Sequence, residues 1–141
     1  MLQAVIDTNV LVRANINKKG SDFLVYKAFL EGKFELLYSE KLIHELNKVL
    51  NYPRIYTKYH FDKKKILEFI ESLATFGKLV FSPKRVRVCR DSTDDELISI
   101  ALAIYTKKPI YVVSGDKDLL DLKGKVKSVK VVTASEFLKV F

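Results

Sequence analysis

Short apolar runs alternate with stretches of helical periodicity along the whole chain. Gln3–Ile6 reads as a strand that runs straight into Asp7-Thr8-Asn9. Gly20-Ser21 precedes a helix near Asp22–Glu31, and Gly32 supplies its stop. Phe34–Tyr38 is a short strand, after which Ser39 caps a helix through Leu50. Leu42, Ile43, Leu46, Val49 and Leu50 form one stripe on that helix. The pattern breaks in "NYPRIYTKYHF" around Pro53. Asp62 then caps a long helix carrying Ile66, Leu67, Phe69, Ile70 and Leu73, which Gly77 ends.

In the second half, Leu79–Phe81 and Val86–Val88 flank a Ser82-Pro83 turn. "STDDELISIALAIYTK" reads as a helix, "PIYVVS" as a strand and Lys117–Leu122 as a short helix. "VKSVKVVT" supplies a last strand, and Thr133 and Glu136 open a last helix at capping-box spacing. Strands that alternate with helices predict an α/β domain with a mainly parallel sheet. The unbroken apolar run Ile110–Val113 fits a central strand covered on both faces.

At 141 residues the chain suggests one domain, 1–141, large enough to bury a core without staples. A single cysteine, Cys89, leaves no internal disulfide and reads as a small buried apolar side chain. No apolar run approaches the ~18 residues that span a bilayer. The opening strand does not resemble an export signal, so a cytoplasmic protein is expected. Charge adds most: 25 Lys+Arg against 17 Asp+Glu give +8, which suits either a polyanionic partner or a solubilising surface.

The acids sharpen that choice. Parallel α/β sheets bind ligands at the carboxyl ends of their strands. Asp7 lies at one such end, and Asp116 lies one glycine past another, in "VVSGDKDLL". On a helical wheel Glu45 falls at the margin of the Leu42 stripe, whereas Glu40 points to solvent. Asp94 lines up with Ile98, Ala101 and Tyr105 on an inward face, where an unpaired carboxylate costs several kcal/mol. Thr93 and Glu96 match a second capping box, which accounts for Glu96 but less well for Asp94.

Converging carboxylates repel one another, and a divalent cation with oxygen ligands relieves that repulsion. The two histidines, His44 and His60, are scattered, so the donor set favours magnesium or manganese over zinc. An acidic metal site in a basic protein suits phosphodiester cleavage.

"VIDTNVLV", "SEKLIHEL", "CRDSTDDELISIALA", "YVVSGDKDLL" and "VVTASEFL", taken together and in this order, resemble the PIN-domain family. The resemblance is closest to the VapC-like ribonucleases of prokaryotic toxin–antitoxin pairs. It implies a three-layer α/β/α sandwich with a mainly parallel central sheet. It further implies a magnesium- or manganese-dependent endoribonuclease that leaves a 5′-phosphate and a 3′-hydroxyl on RNA. Carried over by position, the family's catalytic and metal-binding acids fall on Asp7, Glu45, Asp94 and Asp116. Thr8, Asn9, Asp91, Asp95, Ser114 and Asp118 stand beside them as candidate supporting residues. Where this branch often has Asp-Pro before the third acid, Asp91 is followed here by Ser92. A homodimer and a small antitoxin protein are the partners that the resemblance implies.

Two other functions compete. A non-catalytic RNA-binding domain of the same fold would bind RNA without cutting it. A phosphoryl-transfer enzyme of the haloacid-phosphatase type needs Asp-x-Asp after the first strand, and this chain has Asp7-Thr8-Asn9. Tyr52, Tyr56, Tyr59 and Phe61 interleave with Arg54 and Lys58, which reads either as a base-stacking platform or as core and dimer packing. Arg85, Arg87 and Arg90 alternate near the acids and suit either RNA steering or an exposed strand face; Arg13 could face phosphates too.

Overall fold

The structure, a computed structural model, describes residues 1–81, 92–104 and 108–141, and the side chains of all of these except 92–95. Five parallel strands form one sheet: β1 Gln3–Ile6, β2 Glu35–Tyr38, β3 Lys78–Leu79, β4 Ile110–Val113 and β5 Val129–Val132. Their order is β3-β2-β1-β4-β5. The chain therefore winds outward from β1 in one direction, crosses back, and winds outward in the other.

The helices described are α1 Thr8–Ala14, α2 Ser21–Leu30, α3 Glu40–Leu50, α4 Pro53–Lys58, α5 Lys63–Phe76, α6 Ser92–Ala103, α7 Lys117–Leu120 and α8 Ala134–Phe137. Right-handed crossovers put the connections of the two halves on opposite faces. Accordingly α6 lies across β1, β2, β4 and β5, while α1 packs on α2 and α3, α3 on α5, and α2 on α8. This is the expected α/β/α sandwich, and the described strands of its sheet are all parallel.

Local chemistry explains most boundaries. Ser39 accepts from Leu42 N–H at 3.1 Å and starts α3; its stripe buries Leu42, Leu46 and Leu50, leaves Glu45 half-buried, and turns Glu40 outward. Asp62 caps α5 through Lys64 N–H at 2.9 Å. Thr133 and Glu136 close the capping box of α8, whose Phe137 is fully buried against Phe34, with ring centres 5.0 Å apart. The Lys123 ammonium bonded to the Glu136 carboxylate at 2.9 Å holds that carboxyl at about 2, below its ordinary 4.5.

Some expectations shift. The segment after Asp7, to which the sequence pattern assigns no element, is a helix, α1. β3 is Lys78–Leu79 and stops before Phe81, which is 74% exposed; among the described strands it pairs with β2 alone. Pro53 opens α4 from its first position, where the missing N–H is no loss. Helix α6 ends at Ala103, earlier than its apolar periodicity suggests. The expected Val86–Val88 strand, Cys89, and Arg85, Arg87 and Arg90 lie outside the described residues.

Candidate active site

A sheet whose winding reverses leaves a crevice between the two strands where it does so, outside their carboxyl ends. Here those strands are β1 and β4, paired in register from Ala4 with Tyr111 to Ile6 with Val113. Asp7 continues the ladder by donating its N–H to Val113 O at 2.9 Å, so its side chain emerges at the crevice. Ser114 follows β4 directly, and Asp116 comes two residues later.

Hydrogen bonds knit these three residues together. Ser114 Oγ donates to Asp7 Oδ2 at 2.6 Å and accepts from Asp116 N–H at 2.9 Å. Asn9 N–H donates to Asp7 Oδ1 at 3.2 Å, and Asp118 N–H donates to Asp116 Oδ1 at 2.8 Å. Asp7 and Asp116 thus cap α1 and α7. Capping alone does not require a carboxylate at either place, because Ser, Thr or Asn serve as well.

Burial makes the carboxylate at position 7 costly. Asp7 is 4% exposed, and its pKa lies above the ordinary 3.8. Desolvation is the largest cause; the Ser114 hydroxyl and Asn9 N–H oppose it, Asp116's charge adds to it, and Arg13 opposes it more weakly. Thr8 beside it is buried too, and its Oγ1 has no hydrogen-bond partner among the described residues. The two neighbouring carboxylates and the serine hydroxyl make an all-oxygen donor set. It fits a hard divalent cation and repels an anion.

The remaining predicted residues are placed as follows. Glu45 is half-buried on α3, and among the described residues no third acid, histidine or cysteine joins Asp7 and Asp116 as a metal-binding group. Asp94 and Asp95 fall in the first turns of α6, which crosses β1 and β4, but their side chains lie outside the described residues, as does Asp91. Asn9 is exposed and Asp118 half-buried; both enter through backbone N–H groups.

Two features escape the sequence pattern. Glu96 Oε1 accepts from Ser39 Oγ at 2.8 Å, tying the start of α6 to the end of β2 across 57 residues. Its spacing from Thr93 signals only a local cap. Arg13 forms an ion pair with Asp22 at 2.8 Å, and its guanidinium crowds Gly115, where an added Cβ would lie 3.2 Å from Nη2. No local signal in the sequence brings Arg13 to the Asp116 loop.

Fold and crevice together define an α/β protein with a buried acid, Asp7, beside a half-buried one, Asp116, at the switch point of a parallel sheet. The chain belongs to the PIN domain family, whose profile matches residues 3–118. PIN domains are commonly nucleases and typically use divalent metal ions. The chain is also similar to the uncharacterized protein MJ1680 of Methanocaldococcus jannaschii. The two are 29% identical over 147 residues, covering 99% of this chain and 92% of that one. No helix among the described residues is long and apolar enough to cross a membrane.

Proposed function

We propose that the protein is a magnesium- or manganese-dependent endoribonuclease, the toxin component of a toxin–antitoxin pair. The observation that carries this reading is the Asp7 carboxylate, buried beside Asp116 with no cationic side chain bonded to it among the described residues. Such a charge is expensive in an apolar environment and is retained where an ion repays it.

Asp7 and Asp116 would hold the cation, with Asp94 reaching it from α6 and Glu45 from the margin of α3, directly or through water. When bound, the ion supplies Lewis-acid activation of water and neutralises charge on the phosphoryl oxygens. The chain's own groups do the positioning. Ser114 fixes the Asp7 carboxylate through Oδ2 and the Asp116 backbone through its N–H. The two helix-capping bonds use Oδ1 of each acid and fix the carboxylate planes. The lysine-rich surface would hold the RNA backbone. In this reading the active species is a homodimer in the cytoplasm, held silent by a small antitoxin.

Cleavage of an unstructured RNA in magnesium, manganese or chelator tests this. The parent should cut only with divalent metal, and Asp7→Asn or Asp94→Asn should lower the rate at least about a hundredfold. Magnesium should also raise the melting temperature of the parent and not that of Asp7→Asn. RNA bound but uncut at every metal concentration would leave the non-catalytic alternative standing.

A further inference from the structure

Away from the crevice, the segment that joins α4 to α5 builds a second concave surface. His60 adopts a left-handed backbone conformation, φ 50, and turns the chain so that Tyr59 stacks on Phe61, with ring centres 5.9 Å apart and planes 28° apart. Tyr59 is 38% exposed, and Lys58 Nζ lies 5.3 Å from its ring centre. The ring divides two hollows. One, of about 390 Å³, has Tyr26, Phe61, Lys18, Lys65, Asp62 and Glu68 in its wall. The other, of about 400 Å³, is lined by Val12, Ile16, Arg54, Ile55 and Lys58 besides Tyr59.

We infer that Tyr59 is a stacking platform for an unpaired base of single-stranded RNA, with Lys58, Arg54 and Lys18 on the flanking phosphates. This rests on the reading of RNA as substrate and names how the strand is held beyond the acids. Aromatic faces stack any base, and neighbouring cations track the backbone; together these are the features of sequence-tolerant single-strand binding. Lys58 already sits over the ring, so an incoming base displaces it toward the phosphate that accompanies the base. Asp62 and Glu68 in the first hollow can accept from base N–H groups.

The location agrees with the path. Ala14 and Asn15, at the far end of α1 from Asp7, belong to the wall of the first hollow. The seven residues of α1 span about 10 Å, roughly three stacked nucleotides. Between the two sites Arg13 lies against Gly115 on one side and pairs with Asp22 on the other, and Phe23, next in sequence, lines the hollow. The Arg13–Asp22 ion pair thus stands between acid crevice and aromatic hollow.

The test uses the full chain in chelator, so that binding is read without cleavage. The probes are ten-nucleotide unstructured RNAs with 2-aminopurine placed at successive positions. The parent and Tyr59→Phe should quench the probe at one or two positions, whereas Tyr59→Ala should abolish quenching and weaken binding about tenfold to a hundredfold. Lys58→Ala should weaken binding several-fold and keep the quenching. Circular dichroism controls for folding, and Tyr59→Phe supplies a variant that preserves packing. If Tyr59→Ala binds and quenches as the parent does, the platform is refuted, even where metal-dependent cleavage is intact. Tyr59-dependent quenching without cleavage in any metal would sink the nuclease reading and uphold this one. Parent protein that binds no RNA, but whose hollow is filled by a co-expressed protein partner, would overturn the inference as well.

Discussion

At the scale of single residues, the Asp7 carboxylate sets the character of the site. Its pKa is raised mainly by burial, so the folded state binds a proton more readily than the unfolded chain does. Stability contributed by this group therefore falls as pH rises from 3.8 through the folded pKa, and the penalty is complete above it. Asp7→Asn keeps an acceptor for Ser114 and for the α1 cap while removing the charge. In chelator at pH 7 it should melt higher than the parent, by on the order of 2–4 °C. The gap should close as pH is lowered toward 4, as thermal melts across that range will show. An equal or lower melting temperature at pH 7 would mean that the carboxylate is already compensated by the protein. Asp7 as strand end and acid is plain from the sequence; that Ser114 is its hydrogen-bond donor, 107 positions away, is not.

At the scale of elements, one junction lies at the carboxyl ends of the strands and another at their amino ends. Ser39 follows β2, caps α3 and donates to Glu96 on α6. Ser39→Ala removes both bonds and deprives the half-buried Glu96 carboxylate of the Ser39 donor. It should cost about 1–3 kcal/mol in urea unfolding. A change within error would make the Ser39–Glu96 bond incidental. Gly77 ends α5 for a reason other than backbone freedom, since its φ of −81° is open to any residue. An added Cβ would lie 2.5 Å from Leu73 O and 3.1 Å from Leu36 O. Gly77→Ala should therefore destabilise by about 1–3 kcal/mol through backbone displacement, with unfolding midpoints as the readout. The caps at Ser39, Asp62 and Thr133 are legible because each acts within three residues of itself. α1 is not, because seven residues with Val10, Leu11 and Val12 buried in a row are too short to show a helical period.

At the scale of the molecule, a charge of +8 and an acid crevice at the switch point pull in opposite directions. The general surface attracts a polyanion, while the crevice repels it until a cation is present. RNA affinity measured in chelator should therefore fall steeply with salt, roughly tenfold to a hundredfold between 50 and 200 mM, if three or four phosphates are engaged. Fluorescence anisotropy across a salt series gives the slope, and a flat line would assign the lysines to solubility alone.

By itself the sequence determined the alternation of strands and helices, the caps, and the two acids at strand ends. These follow from local periodicity and from hydrogen bonds that span a few residues. Tertiary structure alone decided that β1 and β4 are neighbours, that Asp7, Ser114 and Asp116 form one network, and that Arg13 bridges Gly115 and Asp22. Strand order is set by crossover handedness and by the burial of two helical layers on one sheet, and those are properties of the packed chain rather than of any stretch of it.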